Sequence, residues 1–341
     1  MFFSDEIIKR NKNDVAQITK FLDSYDVKYD FPEKTFVIRD KGEIIATGSV
    51  DGNILKYFFA KEEYKGQGLM MIIYNSLLNY LVQNGRDSFF VFTKPKNKKI
   101  FESLGLKEVH ETDKVALFEG GFYNYKQWID KVNKILGPKN DGETRGSIIM
   151  NCNPMTLGHK YLIETASNDV DELVIFLVEE DKSVFPFKDR FDIVKNEVEQ
   201  FDNVTVIPGG AYIISQGTFP TYFLKEKDDM LKVYTDLDGS IFAEKIAKDL
   251  KIDKRFLGTE PTDEVTLQYN NSLKEILSRN NIEVDVIERK KLGNNIISAS
   301  HVRSLLKKGE VEQAKQFLPK STIDYLDSER GQKIIHIIKQ C

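Results

Sequence analysis

The chain has 341 residues, with 49 Lys and Arg against 53 Asp and Glu and a formal net charge of -4. That length exceeds one ordinary core and suits two domains with a small extension. The near-balanced charge excludes a generalised nucleic-acid binder, and two cysteines, Cys152 and Cys341, exclude a disulfide framework or a Cys-rich zinc site.

The opening residues MFFSDEIIKRNKND become acidic at once, and no apolar core of signal-peptide length follows. The longest apolar runs, such as LVIFLV at 173–178, are strand-length and too short to span a bilayer. A cytoplasmic protein with no membrane or nucleic-acid partner is the expectation. KTFVIRD (34–40) and EIIATGSVDG (43–52) read as two strands around a Lys41-Gly42 turn, and ILKYFFA (54–60) as a third. GLMMIIYNSLLNYLVQNG (68–85) has helical periodicity and a Gly stop. SFFVFTK (88–94) is a further strand, and NKKIFESLGL (97–106) is a short helix with Gly105 at its end.

YNYKQWIDKVNKILGPKNDGETRG (123–146) is a polar amphipathic helix running into a Gly/Pro/Asn/Asp loop, which marks a boundary near 137–145. Beyond it the pattern turns β-α-β. Strands fall on SIIMN (147–151), ELVIFLV (172–178), VTVIPG (204–209), KRFLG (254–258) and EVDVIER (283–289). Helices fall on LGHKYLIETASN (157–168), KDRFDIVKNEVEQF (188–201), GSIFAEKIAKDLK (239–251) and EVTLQYNNSLKEILSR (264–279), with further helices after them. This alternation implies a parallel sheet covered on both faces, with ligands at the carboxyl ends of its strands. The segments expected are 1–120, a connecting helix and linker at 121–144, and 145–341.

The transition from strand to helix in SIIMNCNPMTLGHKYLIETA (147–166) carries chemistry. A helix N-terminus offers unpaired N–H groups and about half a positive charge, and so attracts phosphate. Gly158 leaves the first turn open to a phosphate, His159 is a donor able to carry charge, and Thr156 adds a hydroxyl without bulk. This equipment suits stabilising charge on a phosphate under attack rather than abstracting a proton.

The run Asn153-Pro154-Met155-Thr156-Leu157-Gly158-His159 resembles the (H/T)xGH signature of the nucleotidylyltransferase superfamily, and Ile297 to Arg303 (ISASHVR) resembles its ISxSxxR signature. The resemblance implies attack on the α-phosphate of a nucleoside triphosphate, with Thr156 and His159 at that phosphate. Ser298, Ser300 and Arg303 would hold the β- and γ-phosphates. It further implies an ATP-binding loop of Asn151, Cys152, Asn153, Pro154, Met155 and Gly158, within which Cys152 is a small packing residue. Lys182 is implied on the transferred phosphate or the attacking substrate, and Gly258, Thr259 and Glu260 at adenine and ribose. Arg190 is expected to form an ion pair on a helix surface.

In the amino-terminal part, EEYKGQGLMMIIYNSLL (62–78) resembles the pyrophosphate loop of GNAT acetyltransferases, and KKIFESLGL (98–106) their closing helix-turn. That implies binding of a coenzyme-A-like arm by Lys65, Gly66, Gln67 and Gly68. Glu63 stands where the signature has Gln or Arg. The fold class expected is α/β: an N-terminal GNAT-like α+β domain followed by a Rossmann-like, doubly wound parallel-sheet nucleotidylyltransferase domain.

Together the two halves resemble the citrate lyase ligase family over nearly the whole chain. The resemblance implies an enzyme that uses ATP, with Mg²⁺ but no assigned protein ligand for it. Acetate would be activated as acetyl-adenylate, and the acetyl group moved to the thiol of the CoA-like prosthetic group on the acyl carrier subunit of citrate lyase. AMP and pyrophosphate would be released. The rival readings are an adenylyltransferase acting on a small phosphate such as phosphopantetheine, a binding module with degenerate sites, and lysine acetylation by the first domain.

Overall fold

The computed structural model describes residues 2–179, 183–213, 230–259, 264–292 and 295–340. They fall into two compact units, Met1–Gln127 with Pro220–Val233, and Trp128–Phe219 with Tyr234–Cys341.

The first unit runs β1 (Ser4–Glu6), α1 (Lys12–Asp23), β2 (Lys34–Asp40), β3 (Glu43–Asp51), β4 (Ile54–Ala60), α2 (Leu69–Gln83) and β5 (Ser88–Thr93). It continues through α3 (Lys98–Ser103), β6 (Lys107–Glu111) and β7 (Ala116–Gly121). Among the described residues these strands make one mixed sheet in the order β1-β2-β3-β4-β5-β7-β6. The β2–β3 hairpin turns on Lys41 (φ 49) and Gly42 (φ 86), the two left-handed positions a tight hairpin requires. β3 is buried along its whole interior because both faces are covered. One face meets Ile18 and Leu22 of α1, the other Leu69, Ile73 and Leu77 of α2. Gly48 allows the second approach, since a Cβ there would lie 2.4 Å from Ile73 Cγ2.

β4 bulges at Tyr57 (φ 60), where its register against β3 shifts. It pairs in parallel with β5 at Ile54↔Phe90 and Leu55↔Val91. The sequence reading matched β2 to β5 and α2 closely. It passed over β1 and α1, and over β6 and β7, whose short or charged segments carry little alternation.

α4 (Tyr125–Leu136) leads to the strands of the second unit: β8 (Arg145–Met150), β9 (Glu172–Leu177), β10 (Val204–Pro208), β11 (Lys254–Gly258) and β12 (Glu283–Ile287). Between them come α5 (Leu157–Ser167), α6 (Phe187–Val198), α7 (Met230–Ile241) and α9 (Glu264–Arg279). α7 continues through a π-turn, Phe242–Ile246, into α8 (Ala247–Leu250), so the helix expected from residue 239 begins nine residues earlier, at Met230. A two-strand pair, β13 (Lys291–Leu292) and β14 (Asn295–Ile296), precedes α10 (Ala299–Lys308), α11 (Val311–Lys315), α12 (Lys320–Asp327) and α13 (Glu329–Gln340).

All the pairings among β8 to β12 are parallel, in the order β10-β9-β8-β11-β12. The chain winds outward from β8 to β10, then returns to place β11 on the other side of β8. The winding therefore reverses between β8 and β11. Crevices at the carboxyl ends of strands open at such a point, and Asn151 and Thr259 both follow directly from those two strands.

The chain has one tryptophan. Trp128, on α4, is 4% exposed and packs against Tyr212 (ring centroids 5.3 Å) and Phe176 (6.3 Å). Its fluorescence should therefore report the unfolding of the second unit. Trp128→Ala should lower stability by about 3–5 kcal/mol, the usual cost of emptying a large aromatic site. Urea titration followed by circular dichroism checks this, and an unchanged midpoint would contradict the packing.

Candidate active site

Thr156 is the N-cap of α5, with extended backbone angles (φ -124, ψ 167). Its hydroxyl accepts the His159 N–H (3.4 Å) and lies 2.9 Å from His159 Nδ1. Nδ1 in turn accepts the Thr156 backbone N–H at 3.0 Å. This is a reciprocal cap with an imidazole in the place usually taken by a Glu or Gln side chain. With Nδ1 occupied as an acceptor, the neutral ring carries its proton on Nε2.

Enclosure by protein, reinforced by the positive charge of Arg289, pushes the His159 pKa from 6.5 down to about 4. Partial desolvation of its half-buried ring, with the positive charge of Arg289, favours the neutral form of His159 at pH 7. The Thr156 hydroxyl, on a side chain only 1% exposed, is engaged with His159.

The second signature lies directly against the first. A Cβ on Gly158 would sit 3.2 Å from Ile297 O and 3.6 Å from Ile297 Cβ. A side chain at Gly158 would therefore crowd the close approach of the two signatures. Ser298 caps α10, its side chain accepting the His301 N–H at 3.2 Å. Arg303 donates from Nη1 to Asn153 O, and from Nη2 to Ser300 Oγ at 3.3 Å. Its half-buried guanidinium has a lowered pKa from desolvation, and an arginine keeps its charge nonetheless. The C-terminal helices hold the same loop. The Leu157 N–H donates to Phe317 O (2.9 Å), Thr322 Oγ1 donates to Met155 O (3.0 Å), and Phe317 meets the His301 ring edge-on.

Arg190 also departs from expectation. It is fully buried. Nη1 donates to Asn151 O (2.7 Å), Asn151 Oδ1 (2.7 Å) and Val178 O (2.8 Å), and Nε donates to Phe185 O (3.0 Å). It is not on the helix surface, and it fastens the ends of β8 and β9 to the segment that starts α6. Spacing could not reveal this, because an Arg in a helix reads as solvated unless the carbonyls facing it are known.

Asn153 Oδ1 accepts the Phe185 N–H at 3.1 Å, and Asn151 Nδ2 donates to Ser183 Oγ at 3.1 Å. Pro154, joined to Asn153 by a cis peptide, is buried. Cys152 and Met155 turn their side chains into the core, and burial pushes the Cys152 thiol pKa well up. At the end of β11, the Thr259 N–H donates to Ile287 O (2.9 Å), and its hydroxyl accepts the Arg289 N–H (3.0 Å). Gly258 faces open space, with no atom within 4 Å of a Cβ placed there. Lys182 and Glu260 lie outside the described residues.

In the first unit, Gly66 (φ 79) and Gly68 (φ 74) both need the left-handed region, and Gly68 is the N-cap of α2. Lys65, Gly66, Gln67 and Gly68 are all exposed. Among the described residues no three His, Cys, Asp or Glu side chains are grouped to hold a metal ion, and no helix is long and apolar enough to cross a membrane.

The family of the citrate lyase ligase C-terminal domain matches residues 145–326. The chain is 35% identical over 329 residues to the citrate (pro-3S)-lyase ligase of Escherichia coli, covering 94% of this chain and 93% of that protein. The Haemophilus influenzae protein of the same name is 34% identical, with coverages of 94% and 97%. Among solved structures, Thermotoga maritima TmcAL bound with alpha-thio ATP is 14% identical, covering 56% of this chain and 57% of that one at a TM-score of 0.36. A GNAT-family acetyltransferase from Staphylococcus aureus is 12% identical, covering 36% and 100% at a TM-score of 0.30.

The low pKa of His159 has a signed consequence. Unfolded chain takes up the proton near pH 6.5, whereas the folded state resists it until about pH 4. Its contribution to stability is full above pH 6.5 and is lost as pH falls towards 4. Histidine-selective NMR should show one of the four imidazoles titrating near 4 with its proton on Nε2. A midpoint near 6.5, assigned through loss of the signal in His159→Asn, would contradict the reciprocal cap. Arg190→Met should cost several kcal/mol by the same unfolding assay, since it strands buried carbonyls.

Proposed function

The chain belongs to the citrate lyase ligase family, and from that premise we propose that it activates citrate lyase by ATP-dependent acetylation. Acetate is a poor acyl donor because its leaving group would be oxide. Attack of its carboxylate oxygen on the α-phosphorus of ATP forms acetyl-adenylate and expels pyrophosphate. The thiolate of the CoA-like prosthetic group on the acyl carrier subunit then attacks the carbonyl carbon, and AMP departs. The two Cys in the whole chain support a reducing, cytoplasmic setting.

One observation supports this reading above the rest: two helix starts, those of α5 and α10, dock together at the point where the sheet's winding reverses. In the first step negative charge moves onto the departing pyrophosphate. His159 donates from Nε2 to a phosphate oxygen without a competing proton equilibrium, because it starts neutral. The first turns of α5 and α10 contribute N–H groups and dipole. Ser300, exposed at the start of α10, and Arg303 face the pyrophosphate end. Thr156 and Ser298 act through the caps that aim these groups.

Gly258 and Thr259 border the nucleoside, and Lys182 and Glu260 keep the roles their positions in the sequence imply. No covalent nucleophile is needed, in keeping with a Cys152 thiol that burial makes unreactive. Mg²⁺ enters with ATP as the counter-ion of its phosphates. The chemistry requires nothing of the first unit. Its Lys65-Gly66-Gln67-Gly68 loop is assigned to the prosthetic arm, whose phosphates suit the uncapped N–H groups at the start of α2.

Mass analysis of products from ATP, acetate and the thiol-form carrier tests the reaction. The expected result is free AMP with a carrier heavier by one acetyl group. A product that retains the AMP would favour adenylyl transfer to a phosphate instead. His159→Ala should lower turnover about 10²-fold or more with little change in ATP affinity, as for loss of one preorganised donor. Gly66→Glu in the full chain should keep acetate-dependent pyrophosphate exchange into ATP yet slow transfer to the carrier. Equal transfer rates would remove that loop from the arm's site.

A further inference from the structure

The peptide group between Met155 and Thr156 is hydrogen-bonded at both ends. Its N–H donates to His159 Nδ1 (3.0 Å), and its carbonyl, Met155 O, accepts from Thr322 Oγ1 (3.0 Å). Both bonds are enclosed, since Met155 and Thr322 are completely buried and Thr156 is 1% exposed. One planar amide thereby connects a hydroxyl on α12 to the imidazole. The N–H end decides the tautomer. The Thr156 hydroxyl, 2.9 Å from Nδ1, can donate or accept and suits either form of the ring. A backbone N–H can only donate, so Nδ1 stays unprotonated and the ring proton stays on Nε2. Thr322 is in turn held against α5. The neighbouring Ser321 N–H donates to Glu197 Oε2 (3.2 Å), and Glu197 Oε1 accepts from Nζ of Lys160 (2.7 Å), the residue after His159. Just before α12, Phe317 O accepts the Leu157 N–H (2.9 Å). The residues on either side of the N-cap, Met155 and Leu157, are therefore both bonded to the segment 317–322.

We propose that Thr322 is a positioning residue for His159: its hydroxyl fixes the plane of the Met155–Thr156 peptide, and that peptide holds the imidazole with Nε2 aimed at the nucleotide phosphates. The effect on the reaction rests on the adenylate-forming reading, whereas the effect on the imidazole does not. Two physical effects act together. A peptide bonded only at its N–H can tilt about the chain axis and swing that N–H away from Nδ1. A second bond, at the carbonyl, removes the freedom to tilt. Hydrogen bonds in a chain also polarise one another, so donation by Thr322 to the carbonyl strengthens the N–H as a donor to Nδ1. Thr322 acts at one remove, from a helix that lies outside both signatures.

Thr322→Val in the full chain keeps the shape of the side chain and removes its hydroxyl, and Thr322→Ser keeps the hydroxyl without the methyl group. The nitrogen NMR signals of the His159 ring, acetate-dependent pyrophosphate exchange into ATP, and ATP affinity by calorimetry are measured on each. Thermal unfolding checks that each is folded. In Thr322→Val the Nδ1 signal should move from its wild-type position towards that of a ring shared between two tautomers. Exchange should slow roughly 10-fold with ATP affinity nearly unchanged, as for a donor misaimed rather than lost. Thr322→Ser should show wild-type ring signals and recover most of the exchange rate. A folded Thr322→Val protein with wild-type ring signals, or with wild-type exchange, would overturn the proposal. So would a Thr322→Ser protein as impaired as Thr322→Val, because that marks a packing role for the methyl group. A scalar coupling across the hydrogen bond, between the Thr156 amide nitrogen and His159 Nδ1, should be present in the wild type and in Thr322→Ser. Its absence from either would also overturn the proposal, whether or not Thr322→Val folds. If the wild type binds ATP but shows no acetate-dependent exchange, the ligase reading fails, and the ring signals still decide whether Thr322 holds His159.

Discussion

The reciprocal cap between Thr156 and His159 is the constraint on which the chemistry proposed for the second unit depends. It satisfies two otherwise unpaired N–H groups at the start of α5, and the same contacts fix the tautomer and direction of the imidazole. A helix cap is worth about 1 kcal/mol, a small term in the stability of a unit this size. Its larger consequence is positional, because a hydrogen-bond donor aimed at a developing charge is useful only within a few tenths of an ångström. The helix cannot form its first turn correctly without also setting Nε2.

That cap is in turn held from three directions. Arg190 pins Asn151 from beneath, Arg303 draws Asn153 towards α10, and Thr322 and Phe317 grip Met155 and Leu157 from the C-terminal helices. Elements separated by 150 residues of chain or more therefore share one loop, Arg303 and Asn153 being 150 apart and Thr322 and Met155 167. The sheet makes this possible. Because β11 inserts beside β8, the segment leading to α10 leaves the edge next to the loop that follows β8. Local sequence has no means of expressing such a meeting.

How far the sequence was legible follows the same division. Periodicity located β8 to β12 and α9, because strands buried in a parallel sheet and helices covering it have strong, distinct patterns. The two signatures were visible as motifs, since Gly158, His159, Ser298 and Arg303 combine residue type with a helix start. Individual roles were less legible. Thr156 looked like a phosphate contact because its hydroxyl is polar, yet burial and the Nδ1 partner turn it inward. Gly158 looked like an opening for phosphate, yet the atom nearest its missing Cβ is the carbonyl of Ile297. Arg190 looked solvated and is wholly buried. For Gly158 and Arg190 the deciding fact is a partner distant in sequence, whereas for Thr156 it is His159, one helical turn on.

Charge is distributed in this unit by the same logic. A group that must donate at neutral pH can be made reliable in two ways, by never losing its proton or by never gaining a second one. The arginines follow the first course: even the desolvation that lowers Arg303 leaves a guanidinium far from titrating. His159 follows the second, since a pKa near 4 keeps it in one form across the physiological range. An imidazole left at its ordinary value would switch between two charge states near neutrality, and the phosphate end would meet a different field with each small change in pH. Desolvation of the ring and the positive charge of Arg289 together remove that switch. The cost is borne by acid stability, where a proton forced onto the enclosed ring opposes the fold. The environment of the imidazole thus exchanges tolerance of low pH for a constant donor at the site, and the enclosure that makes Nε2 dependable is the same one that makes the fold sensitive to acid.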